Sequence, residues 1–248
     1  LIAILIYAPI CWFILQYSEN PLLSILTYFT FLFGYSIGIF RQMIAISIVL
    51  LGTKYIWERK LIKYLIVVGI AMTFHTTAII VLPLYWICRM KLEDKLKWIF
   101  AGEAICFFFA RALILLAVRL VPMYNGYISG TYDVQGGSYS MLILLNIVMI
   151  AGFILERKEE NRKNPTLRMS VNAIVIAVFL QIVGYSMGIF GRIVPYYSVY
   201  MVILIPFLLN RYFRKNIIFV HVMGVAVLVA LFCFFTVGSV IDPYQFVF

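Results

Sequence analysis

Long apolar runs alternate with short polar breaks along almost the whole chain. A helix needs about 20 apolar residues to cross the hydrocarbon core of a bilayer, so runs near this length predict membrane-spanning helices. One further run, at 61–88, has a polar centre and is ambiguous. The pattern predicts an all-α protein, with spans at 2–16, 22–39, 42–57, 98–120, 141–155, 169–191, 194–210 and 217–238.

The composition places the chain among membrane proteins. Of its 248 residues, 65% are hydrophobic and 12% are charged, whereas a soluble domain is roughly half apolar and about a quarter charged. We expect a polytopic transmembrane helical bundle with about nine to ten spans, forming a single integral-membrane domain over 1–248. Because the chain opens on Leu1 inside an apolar run, we also expect it to lack N-terminal spans.

Most of the 20 Lys and Arg residues lie in four polar breaks between the apolar runs. Short loops rich in Lys and Arg stay in the cytoplasm, so all four breaks are predicted to face that side. The net charge of +10 then reflects topology, and we expect no nucleic-acid partner. The breaks contain Lys54, Arg59, Lys60 and Lys63; Arg89, Lys91, Lys95 and Lys97; Arg157, Lys158, Arg162, Lys163 and Arg168; and Arg211, Arg214 and Lys215.

This topology interprets the ambiguous run at 61–88. If the breaks on both sides of it are cytoplasmic, the run must leave and return on the same side. Its length corresponds to about 40 Å of helix, enough for two half-depth legs or for one long tilted crossing. The polar letters FHTT at its centre favour a re-entrant helical hairpin with His75 at the tip. A single crossing is the alternative.

An eight-residue string is nearly repeated, as YSIGIFRQ at 35–42 and YSMGIFGR at 185–192. Each copy contributes an arginine between two apolar runs. An arginine beside the hydrocarbon region is costly and often marks a functional cavity, although interfacial anchoring is the simpler alternative. With 61–88 as a hairpin, both copies end outward-going helices and the repeat is parallel. With a single crossing, the two arginines face opposite sides and a transporter becomes the better hypothesis.

The basic residues outside the four breaks are all arginines, namely Arg41, Arg111, Arg119 and Arg192. A guanidinium group remains charged and binds phosphate or carboxylate through a planar pair of donors. We therefore predict a cavity opening to the outer leaflet that binds a lipid diphosphate and stabilises its leaving-group charge. The residues predicted to converge on this cavity are Arg41, Gln42, His75, Arg111, Arg192 and Tyr196.

Two further groups have candidate roles in this cavity. His75 is suited to act as a general base or hydrogen-bond donor, or simply to form a helix–helix hydrogen bond. The outer loop 121–140 contains Asp133 among Tyr, Gly, Ser and Asn residues, which suits either sugar binding or an ordinary connector. We find no cluster of oxygen ligands for Mg²⁺ and expect neither metal nor cofactor.

The segment FGYSIGIFRQMIAISIVLLGTKYI, followed by KYLIVVGIAMTFHTTAIIVLPLY, resembles the EpsG family of bacterial exopolysaccharide and capsule proteins, which are Wzy-like polymerases. The later segment GRIVPYYSVYMVILIPFLL resembles the second arginine-bearing region of that family. The residues that carry the resemblance are Arg41, Gln42, Ala45, Ala71, Phe74, His75, Pro83, Arg192 and Tyr196.

The resemblance implies a multi-pass protein of the cytoplasmic membrane that joins polyprenyl-diphosphate-linked oligosaccharide repeat units on its outer face. Arg41 and Arg192 would bind the diphosphate, and His75 or Asp133 would activate the acceptor hydroxyl. Membrane lipid and other polysaccharide assembly proteins are the further partners expected.

Two competing functions stay open. A lipid-linked oligosaccharide flippase or another secondary transporter would also use internal repeats and broken helices, with its site near the midplane. An outer-leaflet acyltransferase using His75 as base would need no array of phosphate-binding arginines. Common soluble catalytic motifs, such as the P-loop, GxSxG and HExxH, are absent from the sequence.

Overall fold

A computed structural model describes residues 1–120, 138–158, 160–161, 164–213 and 217–238. Within these residues the chain is helical and contains no strand, which confirms the all-α prediction. The helices are α1 Ile2–Tyr17, α2 Pro21–Phe31, α3 Phe33–Gly38, α4 Phe40–Leu51, α5 Thr53–Trp57, α6 Leu61–Phe74, a 3₁₀ segment Thr76–Val81, α7 Leu84–Ile87, α8 Leu96–Leu120, α9 Tyr139–Glu156, α10 Pro165–Ser186, α11 Gly188–Gly191, α12 Pro195–Ser198, α13 Met201–Tyr212 and α14 Ile217–Gly238.

Polar residues in the breaks begin several of these helices. The side chain of Asn20 accepts a hydrogen bond of 3.3 Å from the backbone N–H of Leu23, at the start of α2. Asn164 accepts one of 3.1 Å from Leu167 at the start of α10. In both helices proline follows the capping residue, where its missing N–H costs nothing. The breaks therefore fix where the apolar runs become helical.

Within the described residues, two helices are long and apolar enough to cross a membrane, namely Tyr139–Glu156 and Pro165–Ser186. Several predicted spans are instead divided. The predicted span 22–39 is split at Leu32 into α2 and α3, and 42–57 is split at Gly52 into α4 and α5. Shorter apolar helices include Ile2–Tyr17 and Leu61–Phe74. The number of spans therefore stays a prediction.

Contacts between the polar breaks bring all four together at one end of the bundle, here called the basic end. Arg89 donates to the backbone carbonyl of Ile56 and so joins the first two breaks. Arg157 donates to the backbone carbonyl of Glu93 at 2.6 Å and joins the second to the third. The ammonium group of Lys158 lies 5.7 Å from the ring centroid of Tyr212, beside Arg211 of the fourth. This clustering agrees with a common cytoplasmic side, which itself stays a prediction.

The run 61–88 folds as a hairpin. Helix α6 ends at Phe74, and His75 adopts an extended backbone with φ −154° and ψ 116°. The following 3₁₀ segment returns along α6, where the Tyr64 hydroxyl donates to the Val81 carbonyl at 2.8 Å. The rings of Tyr64 and Tyr85 also stack, with centroids 5.7 Å apart. The helix break at His75 and the fold-back were both predicted from the sequence.

The buried core lies around α10, which packs against α8, α9, α11, α12 and α13. A second group is centred on α4, which packs between α1 and α6. Three tyrosines of the α12 region fill the space where these groups meet: Tyr196, Tyr197 and Tyr200 are each at most 1% exposed. This packing fixes the position of the chain that follows the second copy of the repeat.

Candidate functional site

The two copies of the repeat end side by side, at the end of the bundle opposite the basic end. We call this the motif end, defined by Arg41, Gln42, His75 and Arg192. Helix α4 begins at Phe40, so Arg41 and Gln42 lie in its first turn. Gln42 is 3% exposed, and its side-chain amide donates to the backbone carbonyl of Arg192. Since residues 42 and 192 close the two copies, this hydrogen bond joins the repeats directly.

His75 is held at the turn of the hairpin by a short chain of polar side chains. Its Nδ1 lies 2.6 Å from the Thr77 hydroxyl, which donates to the Tyr196 hydroxyl at 3.2 Å. With the Thr77 proton given to Tyr196, Thr77 accepts from the Nδ1–H of His75. Nε2 is then the unprotonated nitrogen of the neutral ring, as a general base requires.

The hairpin is tied to α12 by a second contact. The Tyr197 hydroxyl donates to the backbone carbonyl of Ile80 at 2.5 Å. Because Tyr196 and Tyr197 are both buried, these two hydrogen bonds connect the His75 turn to the α12 region, which follows Arg192 in the chain. Thr77 is the residue that sequence reasoning missed. The sequence does contain a signal for it, because Thr77 belongs to the polar FHTT centre of the hairpin, from which only the histidine was predicted as a site residue.

Positive charge predominates at the motif end. The guanidinium groups of Arg41 and Arg192 both act electrostatically on the His75 imidazole, and both arginines are exposed. The carboxylates of the described residues lie elsewhere: those of the polar breaks are at the basic end, and Glu103 lies on α8 near its start. A pair of arginines beside one imidazole is suited to bind an anion with several oxygens.

Several carboxylates at the basic end form ion pairs with its Lys and Arg residues. Arg168 Nε lies 2.5 Å from Glu156 Oε1, and Arg211 Nη2 lies 2.8 Å from Glu19 Oε1. Lys60 lies 2.8 Å from Glu58. The basic end is therefore electrically mixed, whereas the motif end presents arginines.

A cleft of about 820 Å³ lies between the two copies of the repeat and reaches Arg192. One wall is formed by the first copy, including Tyr35 and Ile37, and the other by Gly188 and Gly191 of the second. In the described residues, no group of three or more His, Cys, Asp or Glu side chains could hold a metal ion.

The structure brings together five of the predicted site residues. Arg111 lies on α8 at the level of the second copy, between Phe107, which stacks on Tyr185, and Ile114, which packs on Met187. Its side chain is exposed. Asp133 and nearly all of the loop 121–140 fall outside the described residues, so their roles stay predictions. The five that meet are Arg41, Gln42, His75, Arg192 and Tyr196.

A comparison with models of protein families identifies the family of this chain. A model of the EpsG family matches residues 1–246, nearly the whole chain. The chain belongs to the EpsG family. This confirms the resemblance to that family, and EpsG membership indicates a polysaccharide polymerase-like membrane protein. No curated protein and no solved structure shows a significant match.

Proposed function

We propose that this EpsG-family protein is a polymerase of polysaccharide biosynthesis. It joins polyprenyl-diphosphate-linked oligosaccharide repeat units into exopolysaccharide or capsule on the outer face of the cytoplasmic membrane. The observation that supports this best is the Gln42–Arg192 hydrogen bond, which joins the two copies at the end of the bundle away from the Lys- and Arg-rich breaks. At this end both Arg41 and Arg192 act electrostatically on His75.

The orientation follows from the charge distribution. Since Lys- and Arg-rich breaks remain in the cytoplasm, the basic end faces inward and the motif end faces the opposite side. Repeat units linked to a polyprenyl carrier are polymerised on that outer side. A site for their diphosphate therefore belongs at the motif end.

The proposed reaction transfers the nascent chain from its carrier to a hydroxyl of the incoming unit. The bond from the anomeric carbon to the diphosphate oxygen breaks, and the bond from that carbon to the acceptor oxygen forms. The acceptor proton moves to Nε2 of His75, which the Thr77 contact leaves unprotonated. The electron pair of the broken bond leaves with the diphosphate, and Arg41 and Arg192 stabilise its added charge. Asp133 is the second candidate for the base.

Replacing either arginine with lysine tests the diphosphate role. Lysine keeps the positive charge but loses the planar pair of donors that binds two phosphate oxygens. In cells that depend on this chain, R41K and R192K should each abolish long-chain polysaccharide and cause single lipid-linked units to accumulate. R119K is the matched control, because Arg119 is an exposed arginine near the end of α8. Long polymer in both site variants would refute the proposal.

The same cells distinguish a polymerase from a flippase, which the internal repeat would also suit. The two copies lie side by side at one end of the bundle, which favours a one-sided site over an alternating one. Loss of a polymerase leaves units in the outer leaflet, where periodate oxidises their sugars in intact spheroplasts. Units that stay protected until the membrane is broken would instead identify a flippase.

A further inference from the structure

The cleft between the two copies of the repeat is mostly apolar, although one charged residue, Arg192, belongs to its lining. Its aromatic walls include Phe29, Phe33 and Phe232. Its volume of about 820 Å³ falls within the range of ligand pockets, roughly 300–1,000 Å³. Among its polar lining residues, Gln181 already donates to the Ser138 carbonyl at 3.2 Å. Arg192 is the charged residue of this lining.

Two glycines of the first wall also line the cleft. Gly34 and Gly38 lie four residues apart on α3, and a Cβ added at either would meet no other atom within 4 Å. Protein packing therefore does not require glycine at these positions. Both residues line the cleft, so any larger side chain there would project into it.

We propose that this cleft binds the isoprenoid chain of the polyprenyl diphosphate carrier, on the side nearest its diphosphate. The inference rests on the proposed function and assigns it a lipid subsite. A sugar would require many hydrogen-bonding groups, which the aromatic and aliphatic walls do not offer. An apolar tail with an anionic head matches an apolar cleft that reaches Arg192. The backbone carbonyl of Arg192 accepts the hydrogen bond of Gln42, the chain neighbour of Arg41.

Photocrosslinking locates the lipid without altering the protein. The full chain, purified in detergent, is irradiated with a polyprenyl diphosphate that has a diazirine on the isoprenoid units next to the diphosphate. We expect labelling of the peptides containing 33–39 and 188–192. Unlabelled polyprenyl diphosphate should compete, and phosphatidylglycerol at the same concentration should not. Labelling elsewhere, or equal competition by phosphatidylglycerol, would overturn the assignment.

Filling the cleft provides the second test. G34L and G38L place an isobutyl group inside it and should lower labelling at least about tenfold, the equivalent of roughly 1.4 kcal/mol. G38A should have a smaller effect in the same direction. G69L is the matched control, since Gly69 is an exposed helical glycine on α6 whose added Cβ also meets nothing within 4 Å. Unchanged labelling in G34L and G38L would refute the subsite.

The two proposals fail in distinguishable ways. If polymer formation depends on Arg41 and Arg192 but the lipid labels another surface, the cleft assignment is wrong and the polymerase proposal stands. If R41K and R192K both polymerise normally, the polymerase proposal is wrong, whichever peptides the lipid labels.

Discussion

The two copies of the repeat have nearly the same sequence but different backbones. In the first copy, α3 is helical through Gly38, turns at Ile39, and continues into α4. In the second copy, α10 ends at Ser186, and Met187 is extended with φ −153° and ψ 106°. The chain then forms the short helix α11 and packs back on α10. Similar sequences therefore form a helix junction in the first copy and a tight fold-back in the second.

One position within the repeat replaces a charged residue with glycine. Where the first copy has Arg41, the second has Gly191. Gly191 approaches Gly184 so closely that a Cβ on Gly184 would lie 2.6 Å from the Gly191 Cα. This approach requires glycine at 184, whereas a Cβ on Gly191 would meet only the Gly184 Cα, at 4.0 Å. The arginine of the second copy stands one position later, at Arg192. Gln42 and Arg192, the last residues of the two copies, are nevertheless joined by a hydrogen bond. The two different backbones therefore bring the ends of the copies to the same place.

The strongest test of this comparison changes the glycine that precedes each copy. Gly34 and Gly184 occupy equivalent positions, because each is followed by Tyr-Ser. G184A should destabilise the fold by about 1–3 kcal/mol, since its methyl group meets backbone that cannot move aside. G34A should be neutral or stabilising by up to about 1 kcal/mol, because alanine is the better helix former and has open space.

Thermal unfolding of the two purified variants in detergent measures this difference. The apparent midpoint should fall for G184A and stay level or rise for G34A. Equal losses in both variants would show that the two copies are packed alike and would break the comparison.

The sequence predicted the parts of the fold that depend on charge and periodicity. Clustering of Lys and Arg in the breaks led to the hairpin with His75 at its turn, and the hairpin in turn placed Arg41 and Arg192 at the same end. These inferences need only the tendency of Lys- and Arg-rich loops to stay in the cytoplasm and the length of a helix.

The features that the sequence did not predict depend on tertiary contacts. Gly34 and Gly184 are both followed by Tyr-Ser, yet a Cβ at Gly34 would face open space and a Cβ at Gly184 would meet a neighbouring backbone. Thr77 belongs to the site because its hydroxyl donates to Tyr196, which is distant in the sequence. The helix break at Leu32, within the predicted span 22–39, was likewise not predicted, because no proline or charged residue lies there.

The contact between the closing residues offers a test of intermediate size. Q42L keeps the volume of the side chain but leaves the Arg192 carbonyl without its amide donor. We expect a loss of about 1–2 kcal/mol in stability, within the usual cost of an unsatisfied buried group. Unfolding midpoints measure the stability, and polymer length in cells should shorten because Arg192 loses its support. Q42E is the matched variant of similar shape, which removes the donor and adds a negative charge.

A hydroxyl pair offers the smallest test of the same comparison. Ser36 of the first copy is 6% exposed and hydrogen-bonds to the Tyr28 hydroxyl, whereas the equivalent Ser186 of the second copy is half-buried at the end of α10. S36A should cost about 1 kcal/mol, because it leaves a buried phenol without its partner. S186A should change the free energy of unfolding by less than about 0.5 kcal/mol, as for most substitutions outside a buried network.

Y28F in the S36A background should recover part of the lost stability, since it also removes the tyrosine hydroxyl that S36A leaves without a partner. A double-mutant cycle on Tyr28 and Ser36 should therefore give a coupling energy near that of one hydrogen bond, and a coupling of zero would mean that the first copy is not fixed through Ser36.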